Sequence, residues 1–73
     1  MDLLREEFEQ NVQSVVARLP AEQRMVVILR YTEGLAYDEI SEILHCSTGT
    51  VASRLNRAHK TLERWLAHLK RSS

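Results

Sequence analysis

The sequence predicts an all-α domain of four helices that contains a helix-turn-helix. Three observations carry this expectation: apolar residues recur at intervals of three and four, one Pro and two Gly punctuate the chain, and β-branched runs are short. The helices are expected at about 2–18, 21–32, 37–44 and 48–70, with the helix-turn-helix at about 37–60 of a single domain covering 1–73.

Leu4, Phe8, Val12, Val15, Val16 and Leu19 form the stripe of the first helix, and Asp2 is a plausible N-cap. Pro20 stops that helix and presets the first turn of the next, where its missing N–H is harmless and Glu22 suits the positive end of the dipole. The second helix holds the run Met25-Val26-Val27-Ile28-Leu29, apolar nearly all round, so it should be the most buried. Gly34 suits the left-handed residue that closes it. The third helix is short, with Ile40, Ile43 and Leu44 inward and Asp38, Glu39 and Glu42 outward. His45-Cys46-Ser47 form the turn, and Ser47 caps the fourth helix. That helix keeps a seam at Val51, Leu55, Ala58, Leu62, Trp65 and Leu69, spaced 4, 3, 4, 3, 4.

A chain of 73 residues buries only about 60% of its unfolded surface, which disfavours an elaborate enzyme cleft. The longest apolar run, Met25 to Leu29, falls far short of the roughly 18 residues of a membrane span, and no leader opens the chain. A cytoplasmic protein is expected. Cys46 has no partner cysteine, so neither a disulfide framework nor a Cys-rich zinc site is expected, and the lack of an internal staple suggests a fragment of something larger. The zero net charge hides a polarity. Residues 1–45 carry nine acidic and four basic side chains, a net of −5, whereas residues 46–73 carry six basic and one acidic, a net of +5. Clustered cations displace counterions from a phosphate backbone, so this asymmetry points to a polyanion partner for the C-terminal half.

Two helices joined by a three-residue turn match the helix-turn-helix signature. At 100° per residue, Ser53, Asn56, Arg57 and Lys60 fall opposite the Val51 seam, with Arg54 on the flank. That face offers a guanidinium for guanine, an amide for adenine, a hydroxyl, and an ammonium for phosphate. Ser47 and the first turn, Thr48-Gly49-Thr50, present hydroxyls and open backbone N–H groups where a phosphate can dock, and Gly49 lets the backbone come close. No nucleophile with its base and no glycine-rich phosphate loop is present, so no catalysis, cofactor or metal is expected. Cys46 reads as a small apolar plug. His59 and His68 read as surface residues, His59 near phosphate. Trp65, Leu66 and Leu69 extend the seam and are expected to pack on Leu4, Phe8 and Val12, the other reading being an exposed patch for another protein.

The stretches Leu19-Pro20-Ala21-Glu22-Gln23-Arg24, Leu29-Arg30-Tyr31-Thr32-Glu33-Gly34-Leu35-Ala36-Tyr37-Asp38-Glu39-Ile40 and Cys46-Ser47-Thr48-Gly49-Thr50-Val51-Ala52-Ser53-Arg54-Leu55-Asn56-Arg57-Ala58 resemble region 4 of sigma-70 family initiation factors, in particular the extracytoplasmic-function (ECF) group. The resemblance implies a domain that binds the promoter minus-35 element through the second helix of its motif. It places Ser53, Asn56 and Arg57 at base-reading positions, with Thr50 and Arg54 near the backbone. It further implies docking on the flap of the polymerase β subunit and masking by an anti-sigma factor, through surfaces of helices 1 and 2. Two positions depart from the family pattern: Ala52 stands where Lys or Arg is usual, and His45 where Gly is frequent. The family's promoter-melting domain has no counterpart in these residues. The other readings are a response-regulator-type four-helix DNA-binding domain, or a helical protein-interaction module whose basic face meets an acidic protein.

Overall fold

The computed structural model describes residues 13–72, with side chains as far as Ala67. The Asp2 cap, the Leu4, Phe8 and Val12 stripe, and the side chains of His68 and Leu69 lie outside the described residues. All regular structure within them is helical, as expected.

The first helix, α1, is helical over 13–17 and closes with two tight bonds, Arg18 N–H to Val15 O at 3.0 Å and Leu19 N–H to Val16 O at 3.1 Å. These i→i−3 bonds end it one residue before the expected 18. Helix α2 begins at Ala21–Val27. Pro20 is its N-cap, with ψ at 147°, rather than a residue of its first turn, and its carbonyl accepts the Arg24 N–H at 2.9 Å. Pro serves this position because the cap needs a carbonyl and no donor.

The α-helix expected to run to 32 stops at Val27 and continues as a π-helical turn over Ile28–Thr32. Glu33 N–H reaches Ile28 O and Leu35 N–H reaches Leu29 O, each at 3.1 Å, so both closing bonds span more residues than an α-turn does. Gly34, at φ 70°, supplies the left-handed residue as expected. Contacts at the turn offset its poorer geometry: Arg30 Nη1 donates to Leu35 O at 2.9 Å, and the Arg30 guanidinium lies 5.2 Å from the Tyr37 ring centroid.

Helix α3 spans Tyr37–Leu44. Glu39 Oε1 accepts the Ala36 N–H at 2.9 Å, which is half of a capping box, since Ala36 has no side-chain acceptor to return the bond. It ends on His45 in the left-handed region at φ 55°, and Cys46 N–H closes onto Ser41 O at 3.0 Å, the wide bond of a Schellman end. Helix α4, Thr48–Ser72, has 25 residues and runs past the expected 70. At 1.5 Å per residue it is about 37 Å long, most of the molecule's 40 Å axis.

The core gathers Leu19, Val26 and Val27, Ile40, and the α4 seam of Val51, Leu55 and Ala58. Val16, Leu29, Leu35, Leu44, Cys46, Leu62 and Trp65 pack around it half-buried, which gives Cys46 its expected role as a plug. Two apolar residues depart from expectation. Met25 is 46% exposed and Ile43 is 53% exposed. The face of α2 that meets α4 is centred on Val26, and Met25 lies about 100° away from it. On α3 the contact is centred between Ile40 and Leu44, which leaves Ile43 about 80° from its middle. Asp38, Glu39 and Glu42 face outward as expected. No described helix is long and apolar enough to cross a membrane.

Candidate nucleic-acid interface

A capped turn sets the start of α4. Ser47 Oγ accepts the Thr50 N–H at 3.0 Å, and Val51 N–H returns to Ser47 O at 3.1 Å, so Ser47 caps the helix as its sequence position predicts. Thr50 Oγ1 lies 3.0 Å from Ser47 Oγ and is half-buried, so these two hydroxyls are engaged with one another. The first-turn donors that find no acceptor among the described residues are the Thr48 and Gly49 N–H groups, and both residues are exposed. Two open amides at the positive end of a helix about 37 Å long are suited to one anionic oxygen pair. A Cβ on Gly49 would meet only Ser47 Oγ, at 3.7 Å, so nothing inside the chain demands glycine there.

The buried seam of Val51, Leu55 and Ala58 fixes which way the rest of α4 points. Ser53, Asn56, Arg57 and Lys60 are all exposed on the opposite face, as the helical period predicts. Arg57 and Lys60 make no ion pair among the described residues. The face therefore presents a hydroxyl, an amide, a guanidinium and an ammonium within two turns of helix, with the open amides at its leading end. Such a set can hydrogen-bond base edges and neutralise phosphates.

Arg54 and His59 occupy the two flanks and both are engaged with α2. Arg54 Nη2 lies 3.9 Å from Glu22 Oε1, and its side chain is 25% accessible. His59 is half-buried rather than a plain surface residue, with Nε2 2.6 Å from the Tyr31 hydroxyl and the two rings 5.6 Å apart. Sequence reading missed Glu22 and Tyr31 as neighbours of this helix. Only the opposite charges of Glu22 and Arg54 hinted at the first pair, and nothing local signals a contact across 28 residues. Ala52 is half-buried on the same flank as His59. Trp65 packs on the core, and the Arg18 guanidinium lies 5.3 Å from its ring centroid.

A short helix, a three-residue turn and a long capped helix with a polar outer face define a helix-turn-helix domain. The chain belongs to the family described as sigma-70, region 4, which it matches over residues 9–62. It is 37% identical over 71 residues to the RNA polymerase sigma-H factor of Pseudomonas aeruginosa, a match covering 97% of this chain and 37% of that protein. It is 41% identical over 61 residues to the ECF RNA polymerase sigma-E factors of Escherichia coli (strain K12) and Salmonella typhi, covering 84% of this chain and 32% of each relative. The chain thus spans about a third of the length of these relatives. The resemblance to the ECF group read from the sequence agrees with these matches.

Proposed function

We propose that the chain reads the minus-35 element of promoter DNA during transcription initiation, as one region-4 unit covering 1–73. Helix α4 enters the major groove, where Ser53, Asn56 and Arg57 face base edges. Ser47, the Thr48 and Gly49 amides, Thr50, Arg54 and Lys60 face the sugar-phosphate backbone. The observation that carries this reading is the exposed Ser53, Asn56, Arg57 and Lys60 face set opposite the buried Val51, Leu55 and Ala58 seam, one turn beyond the Ser47 cap. The protein works by binding and carries out no chemistry.

The names of its relatives support a second partner, the RNA polymerase core, and the resemblance to region 4 points to its β-subunit flap as the contact. An apolar groove of about 360 Å³ between the end of α1 and α2, lined by Val16, Ala17, Val27, Ile28 and Tyr31, suits such a contact. An anti-sigma factor that covers the same groove blocks the polymerase contact. With these partners, the proposed site of action is the bacterial cytoplasm.

The test is a binding titration of the chain against a duplex selected by the chain itself from a randomised pool, and against a scrambled duplex of equal length, at two salt concentrations. A specific reader prefers the selected duplex at both salts and loses affinity for each as salt rises. Equal affinity for the two duplexes would leave only a basic surface and overturn sequence reading.

A further inference from the structure

We propose that Glu22 and Tyr31 are positioning residues for DNA reading: α2 grips the recognition helix on both flanks and thereby fixes its rotation about its own axis. The inference rests on the DNA-reading function proposed above and extends it to two residues that face no DNA.

The geometry has three parts. Glu22 stands in the first turn of α2, and Tyr31 in the π-helical turn that extends it. Glu22 meets Arg54 at 3.9 Å and Tyr31 meets His59 at 2.6 Å. Arg54 and His59 are five residues apart on α4, about 140° around the helix at 100° per residue. One helix thus touches its neighbour on opposite sides of the neighbour's buried seam. The π-helical turn belongs to this arrangement, because it carries Tyr31, and π-turns inside helices recur at functional positions.

Between the two flanking contacts lie Val51, Leu55 and Ala58, all buried and all apolar. Apolar burial sets which face of α4 turns inward but, being non-directional, penalises rotations of a few degrees about that setting only lightly. The Tyr31–His59 hydrogen bond is directional and resists a roll of the helix, and the longer, more exposed Glu22–Arg54 ion pair adds a weaker hold on the other flank. The consequence at the DNA face is large. Side chains put the helix surface about 5–6 Å from its axis, so a roll of about 10° displaces a contact atom by roughly 1 Å. That displacement takes a hydrogen bond from about 2.9 Å to well beyond its useful range. Phosphate contacts through long, flexible Lys and Arg side chains tolerate it far better. Loss of the grip should therefore erode discrimination between sequences and leave general affinity for DNA in place.

Tyr31 is 60% exposed, so its hydroxyl can be removed without loss of the fold. The probes are the duplex that the wild-type chain selects from a randomised pool and its scrambled counterpart, with the ratio of the two dissociation constants as readout. Tyr31→Phe should lower that ratio about three- to tenfold, the worth of one hydrogen bond, with affinity for the scrambled duplex nearly unchanged and the thermal midpoint lowered by several degrees. His59→Leu should do the same, and Tyr31→Phe combined with His59→Leu should lose no more than either alone, since both remove one contact. His59→Gln, which keeps a hydrogen-bonding group opposite Tyr31, should recover most of the ratio. Glu22→Gln tests the other flank and should also lower it. An unchanged ratio, losses equal on both duplexes, or losses that add in the double variant would each overturn the grip. A wild-type chain that prefers no duplex would overturn the DNA-reading function itself, an outcome separate from the others.

Discussion

A guanidinium that bonds both O6 and N7 of a guanine discriminates between bases, whereas one that meets only phosphate does not, so the role of Arg57 is measurable by comparing sequences. Its exposed position opposite the seam leads to the expectation that Arg57→Ala costs about 1–3 kcal/mol on the selected duplex and much less on the scrambled one. Parallel titrations decide this, and equal losses would assign Arg57 to phosphate. Gly49 makes a different case. It sits in a helix, where glycine is about 1 kcal/mol worse than alanine, yet an added Cβ meets nothing closer than 3.7 Å. The fold does not explain it, but close approach of its amide to a phosphate does. Gly49→Ala should therefore raise stability by up to about 1 kcal/mol while weakening both duplexes alike. Denaturation and titration of the same sample test both halves, and unchanged DNA affinity would show that no phosphate sits there.

At the scale of the elements, the helix ends hold the most legible chemistry. Ser47 capping α4 and Gly34 at positive φ were readable because caps and left-handed residues depend on a few neighbours in sequence. The end of α3 presents the contrast, since His45 at φ 55° does with an ordinary side chain what Gly34 does with none. An L-residue in that region costs on the order of 1 kcal/mol. His45→Gly should thus stabilise the fold by roughly 0.5–1 kcal/mol, net of the entropy glycine adds to the unfolded chain. Gly34→Ala should destabilise it by about 1 kcal/mol, through the backbone alone, since its Cβ meets nothing within 4 Å. Denaturant melts of both variants test this, and shifts of the same sign would contradict the backbone account. What the sequence did not reveal was decided farther away. Ile40, Ile43 and Leu44 span an arc wider than the contact, and only packing against α4 selects its Leu44 edge over Ile43. The π-helical turn leaves the apolar pattern of α2 unchanged, and the Tyr31 to His59 contact joins residues 28 apart, so neither has a local signature. The polar face of α4 was legible because a period of 3.6 fixes it once the seam is known.

Across the molecule the cations with described side chains divide into two working groups, with Arg54 between them against Glu22. Arg18, Arg24 and Arg30 in the acidic half are engaged with the chain itself: Arg18 lies over Trp65, Arg24 Nη1 donates to Ala17 O at 3.2 Å, and Arg30 donates to Leu35 O while covering Tyr37. Each ties a turn or a helix end to a neighbour, which suits a small core without disulfides. Arg57, Lys60 and Arg64 are instead exposed along the outer side of α4. If DNA binding releases counterions through this second group, the slope of log affinity against log salt should depend on it and not on Arg18, Arg24 or Arg30. Lys60→Ala should make that slope shallower by roughly 0.9, weaken selected and scrambled duplexes alike, and leave the melting midpoint where it was. Arg30→Ala should do the reverse, lowering stability by about 0.5–1.5 kcal/mol through the lost carbonyl contact while keeping the salt slope. A salt series and a thermal melt on the two variants give four measurements, and the division holds only if Lys60→Ala moves the slope and not the melt while Arg30→Ala moves the melt and not the slope. Were Arg30→Ala to flatten the slope, the acidic half would also lie against DNA, and α4 could not be its sole reader.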